Sequence, residues 1–178
     1  MPGQFVWRHP LTVVATLRAM EISPNAHRFE PLEPTVRDLW MGYARWETEY
    51  YPKFVGLQME DVRVDYCRMR LPWRDPQLIQ PQGVMHGGAI ASMIDTVVVP
   101  AIASAYSERR RMATINLAVN FIGPVVKSDI IGEGWVTKRG RSIVYCQVEI
   151  VDDRAAPVAF GTVVYRIGSP TEEFRDLG

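Results

Sequence analysis

His86, Gly87, Gly88 and Asp95 are the residues whose types and spacing could do chemistry. They sit in GVMHGGAIASMID, positions 83–95, a run otherwise apolar or small. If a helix begins at this histidine, its first turn has free backbone N–H groups and the positive end of the helix dipole. Glycine there lets a ligand approach the main chain with no Cβ in the way. Gly87 and Gly88 could then form an oxyanion hole for a carbonyl carbon under attack. The same glycines would also serve close helix–strand packing. Asp95 shifts the balance toward chemistry, because a carboxylate in an apolar helix is costly unless it is hydrogen-bonded or faces a cleft. A neighbouring hydroxyl alone could hold it.

Helical spacing puts Ser92, Ala91 and Gly88 on the face of Asp95, all small, and Ile90, Met93, Ile94, Val97 and Ala101 on the other. The carboxylate thus points to a face that a ligand or a second helix can approach. Gly87 and Asp95 are eight residues apart, about 12 Å along a helix axis. One chain cannot bring both to one carbon. Two copies related by a two-fold axis can, each site taking Gly87 from one subunit and Asp95 from the other. A homodimer with composite sites is therefore expected if both residues act together.

The elements that would hold this helix follow from the flanking pattern. Prolines punctuate residues 1–33, which read as an irregular arm. A helix is expected over 35–50, with Leu39, Tyr43 and Trp46 on one face and Pro52 ending it. Residues 62–71 alternate as one strand, and 72–83 read as a loop. The long helix is expected from 86 or 87 to about 107. The cations of SERRR, positions 107–111, would complement its C-terminal dipole, and Pro100 would kink it. Four further strands are expected at 113–121, 129–138, 142–151 and 158–167, joined as a meander. About five antiparallel strands then bury one face against the helix.

Bulk composition narrows the partners. The 178 residues suit one domain with an extra arm. Lysine plus arginine balance aspartate plus glutamate at 20 each, so charge gives no reason to expect nucleic acid or an anionic membrane. Asp95 and Pro100 interrupt the longest apolar stretch and argue against a membrane span. Cys67 and Cys146, the two cysteines, offer neither a disulfide framework nor a zinc site, and fit a reducing cytoplasm.

The run QPQGVMHGGAIASMID, followed by TINLAVNF and KRGRS, resembles the hotdog-fold acyl-CoA thioesterases, especially the phenylacetate-degradation type, over about 55–167. The resemblance implies an α+β hotdog fold: a long central helix wrapped by a five- or six-stranded antiparallel sheet, with two sheets paired edge to edge in the dimer and tetramers common. The domain would occupy 55–170, preceded by an arm and helix over 1–54 and followed by a tail over 171–178. It implies hydrolysis of an aromatic or medium-chain acyl-CoA to free acid and CoA, with Asp95 as nucleophile or as the base that activates water, and the Gly87 N–H polarising the carbonyl. His86 would shape the loop at the helix start. Gln80 stands where relatives often have Asn, and Thr114 would orient the water. Lys138, Arg139, Gly140, Arg141 and Ser142 would line the path of the CoA phosphates, with Arg109 to Arg111 as second choice, and Met85, Val98 or Trp73 would touch the acyl group. No metal or redox cofactor is implied, since CoA is part of the substrate. A hydratase of the same fold would carry D-x-N-P-x-H, which is absent here. A non-catalytic acyl-CoA-binding or regulatory protein is the alternative; it would have no use for Asp95.

Overall fold

The computed structural model describes residues 25–42 and 49–171. Its centre is a 17-residue helix, α3 (Gly87–Ala103), laid across a six-stranded antiparallel sheet. The strands are β1 (Gln58–Arg63), β2 (Tyr66–Leu71), β3 (Arg110–Phe121), β4 (Ile130–Arg139), β5 (Ile143–Asp152) and β6 (Pro157–Pro170), in the spatial order β1-β2-β4-β5-β6-β3. This is the expected hotdog arrangement. Met93, Ile94, Val97, Val98, Ala101 and Ile102 of α3 are fully buried, against inward positions of the sheet such as Val148 and Val163. Glycine on β4 lets the helix lie close: a Cβ on Gly134 would come within 2.8 Å of Val97 Cγ1.

Several sequence expectations need correction. Residues 62–71 are not one strand but most of a hairpin, in which Val62 pairs with Cys67 and Arg63 with Tyr66. The turn is Val64–Asp65, with Asp65 at φ 64°. Aspartate tolerates that left-handed conformation, so the turn needs no glycine or proline to mark it. Nor do the last four strands form a meander. β4, β5 and β6 do, but β3 pairs with β6, while β2 pairs with β4. β3 is therefore an edge strand. Finally, the long helix stops at Ala103, short of SERRR, and Pro100 lies in its last turn. The cation at its C-terminus is Arg139 of β4, which donates to the Ile102 carbonyl at 3.1 Å.

Ahead of the sheet lie two short helices, α1 (Pro34–Met41) and α2 (Tyr51–Val55). The single helix expected over 35–50 is not observed: α1 ends at Met41 and buries none of its residues, with Leu39 exposed. Pro52 opens α2 rather than stopping a helix, because the first turn needs no N–H from it. Tyr43 and Trp46 lie outside the described residues, as do 1–24 and 172–178. Val55 and Leu57 join the core. On the far face of the sheet, Ala26 is buried beside Tyr66 and Trp135, and Phe29 stacks on Tyr66 at 5.3 Å. No helix among the described residues is long and apolar enough to cross a membrane.

Candidate active site

The start of α3 is built by its own cap. His86 is the N-cap, extended at φ −66° and ψ 133°, and its Nδ1 accepts the Gly88 N–H at 2.8 Å. That bond places the imidazole proton of neutral His86 on Nε2. The Ala89 and Ile90 amides turn to the His86 carbonyl. The Gly87 N–H, which no helical carbonyl can accept, is taken by no group among the described residues. The loop before the cap is fixed by its backbone: Met85 N–H reaches Val125 O at 2.9 Å and His86 N–H reaches Leu78 O at 2.8 Å. Gln80 lies in this loop, its amide on Val84 O and its carbonyl accepting from Gly83, which sits at φ 77°. Its half-buried side chain makes no hydrogen bond among the described residues.

Two turns further on, half-buried Asp95 is held by one oxygen. Oδ1 accepts from Thr114 Oγ1 at 2.8 Å and from Tyr165 OH at 3.0 Å. Tyr165 also lies 3.0 Å from the Asp95 carbonyl, so its one proton is shared between two acceptors. Oδ2 receives no donor among the described residues. Thr114 and Tyr165 are themselves directly paired across β3 and β6. Burial pushes the Tyr165 phenol well above its usual range, the Asp95 charge adds to this, and Thr114 works against it; Tyr165 is therefore a proton donor throughout the neutral range. Sequence reasoning missed Tyr165. Its signal was available in the alternation of β6, where it is the one hydroxyl among the inward residues Val163, Tyr165 and Ile167, and a buried phenol needs a partner.

Between these stations the helix face is also occupied. Ser92 Oγ donates to Gly88 O at 2.8 Å and lies 2.7 Å from the hydroxyl of Tyr51 on α2. Phe121, at the end of β3, faces Gly87, where a Cβ would sit 3.4 Å from its ring. β3 thus runs alongside α3 in the opposite direction, with Thr114 at Asp95 and Phe121 at Gly87.

The proposed phosphate-binding turn divides. Gly140 makes it tight, with its N–H on Ile143 O at 2.8 Å, and Ser142 O accepts from Ile167 N–H at 2.8 Å. Lys138 and Arg141 are exposed. Arg139 departs from expectation: its guanidinium pairs with Asp65, reaches Ile102 O and lies 4.8 Å over the Tyr106 ring. It ties the end of α3 to the sheet and is not a cation waiting for phosphate. Arg110 lies on the same Tyr106 ring. Met85 and Val98 are also corrected: at 3% and 0% exposure they belong to the closed core, while Trp73 is half-buried against it. Among the described residues no three His, Cys, Asp or Glu side chains converge as a metal would require.

Residues 82–165 match the thioesterase superfamily. The Mycobacterium tuberculosis esterase candidate Rv1847 is 30% identical over 112 residues, spanning 61% of this chain and 79% of that protein. The chain belongs to the thioesterase superfamily. The solved structure of Rv1847 aligns with a TM-score of 0.63 at 27% identity, over 69% of this chain and 98% of its own. Two others share the fold at lower identity. The Escherichia coli PaaI protein of the phenylacetic acid degradation operon has a TM-score of 0.66 at 17% identity, over 75% of this chain and 94% of its own. A hypothetical thioesterase protein of Streptococcus pneumoniae, solved with coenzyme A, has a TM-score of 0.59 at 15% identity, over 66% of this chain and 89% of its own.

Proposed function

We propose that this superfamily member hydrolyses an acyl-CoA thioester in a homodimer whose two sites each combine residues of both subunits. The observation that carries the reading is the pair of unspent groups on α3, the Gly87 N–H and Asp95 Oδ2. Helix geometry separates their backbones by about 12 Å, so they serve one carbon only across a two-fold axis. The edge strand supports that axis. β3 and the loop after it expose Ile115, Leu117, Phe121, Ile122 and Val126, and an unpaired apolar edge invites a second copy.

In this reading the thioester carbonyl oxygen accepts the Gly87 N–H of one subunit. Asp95 Oδ2 of the other takes a proton from water as the water oxygen bonds to the carbonyl carbon. The tetrahedral oxyanion then collapses, the carbon–sulfur bond breaks, and the thiolate takes up the proton to leave as CoA beside the free acid. Thr114 and Tyr165 hold the carboxylate by its other oxygen, so the base is aimed before substrate arrives. Gln80, in the loop before the helix, would touch the thioester, and His86 would keep the helix start in place. For the CoA phosphates, Lys138 and Arg141 remain, joined by exposed Arg111 and Arg166 near the same turn. Arg139 is replaced in that role. The acyl group is an aromatic or medium-length chain.

Asp95→Asn tests the reading against a binding protein of the same fold. The amide keeps the shape but cannot accept the water proton. Turnover of an acyl-CoA panel, read as released thiol, is expected to fall by about 10²-fold or more, with acyl-CoA affinity retained. Undiminished turnover would sink the assignment of Asp95. A wild-type protein that binds acyl-CoA without hydrolysing it would favour the regulatory alternative.

A further inference from the structure

The outward strip of α3 has a wall on the side away from β3. Tyr51 of α2 is 58% exposed, yet its hydroxyl is fixed 2.7 Å from Ser92 Oγ. Ser92 spends its one proton on Gly88 O, so in this pair the phenol donates and the serine accepts. A large ring, open to solvent but held at its tip, stands over the helix one turn from Gly88 and one turn from Asp95. Phe54 of the same short helix is 63% exposed. Neither ring is needed for the core, which α2 enters through Val55.

We propose that Tyr51 sets the length of acyl group the site accepts, and that Ser92 is the positioning residue that holds it there. The inference rests on the thioesterase reading above and on its division of labour. The exposed cations Lys138, Arg141, Arg111 and Arg166 lie near the strand row of Thr114 and Tyr165, on the subunit that gives the carboxylate. The CoA limb runs toward them. The acyl limb leaves the trigonal carbon on the opposite side, over the first turns of the helix that gives the Gly87 amide. Its path follows Gly88 and Ser92 and ends against the Tyr51 ring of that same subunit.

The test uses straight-chain acyl-CoAs of increasing length with the wild type, Tyr51→Ala and Tyr51→Phe. Tyr51→Ala is expected to raise kcat/KM for chains longer than the wild-type optimum by about tenfold or more, through KM rather than kcat. Tyr51→Phe keeps the ring but loses its bond to Ser92, so it blurs the cut-off as Ser92→Ala does and less than Tyr51→Ala. Ser92→Ala releases the ring and blurs the cut-off in the same direction as Tyr51→Ala. The affinity series is repeated by calorimetry in an Asp95→Asn background, where turnover is not required. A length profile unchanged by Tyr51→Ala in both series overturns the proposal. A changed binding profile in a protein that hydrolyses nothing supports the wall and overturns hydrolysis. Failure to bind any acyl-CoA overturns both.

Discussion

Asp95 is aimed through Oδ1, and the two donors that aim it differ in kind. Thr114 is exposed on an edge strand, whereas Tyr165 is buried and shares its proton with the Asp95 carbonyl. A hydrogen bond to a charged group contributes about 1.5–3 kcal/mol. Tyr165→Phe, which removes only the hydroxyl, is therefore expected to lower kcat about 10- to 100-fold and leave KM near the wild-type value; an equal loss in kcat/KM carried by KM would place Tyr165 in binding instead. The same phenol has a consequence for stability. Burial raises the folded-state pKa of Tyr165 and lifts the Cys146 thiol to about 12. The folded protein then keeps protons that the unfolded chain releases above its ordinary values of about 8.5 for Cys and about 10 for Tyr. This stabilisation is complete below those values and is lost as pH rises toward the folded pKa. The melting temperature is expected to fall from about pH 9 upward, with a shallower slope above pH 10 in Tyr165→Phe. Identical slopes in the two proteins would contradict this account. Buried thiols also keep the protein from contributing to a free-thiol assay of released CoA.

At the scale of elements, the helix start is a joint between loop and helix, and it can be broken at one atom. A Cβ on Gly88 would sit 2.8 Å from His86 Nδ1, so Gly88→Ala must push the imidazole off the amide it caps. The expected loss is about 1 kcal/mol, as for other lost N-caps, visible as a lower melting temperature. His86→Ala should cost a similar amount, and the double variant no more than either alone, since both remove one contact. Additive losses would show that Gly88 and His86 act separately. This joint was legible in the sequence because it is local: the cap, the glycines and the carboxylate all lie on one helix, at spacings that helix geometry fixes. The long helix and the strands at 130–139 and 143–152 were legible for the same reason. What could not be read came from long-range register. Tyr165 reaches Asp95 across seventy positions, and Tyr51 reaches Ser92 across forty-one. Arg139 looked like a solvent-facing turn cation until the fold set Asp65 and the end of α3 beside it. The pairing of β3 with β6, which makes β3 an edge, depends on β4 having chosen β2. No local pattern carries that choice.

For the whole molecule, the decisive question is whether catalysis crosses between chains. Gly87 is the first residue of α3, and His86 before it is already extended. Proline is accepted at that helix position and asks for an extended residue ahead of it. Gly87→Pro thus removes the one free N–H while leaving the helix start compatible with its fold. Loss of an oxyanion donor lowers kcat by about 10²–10³-fold, so Gly87→Pro and Asp95→Asn should each be nearly inactive alone. Co-expressed, they form mixed dimers. If sites are composite, each mixed dimer has one site with both defects and one with neither, because the intact Asp95 of the Gly87→Pro chain meets the intact Gly87 of its partner. Random pairing makes about half the dimers mixed, and activity should recover to about a quarter of wild type. If both groups came from one chain, every site in the mixture would carry a defect and no activity would return. Recovery should also disappear when Leu117→Lys is added to both chains, since a charge on the exposed edge of β3 opposes pairing. Recovery that survived the edge charge would place the shared site at some surface other than β3.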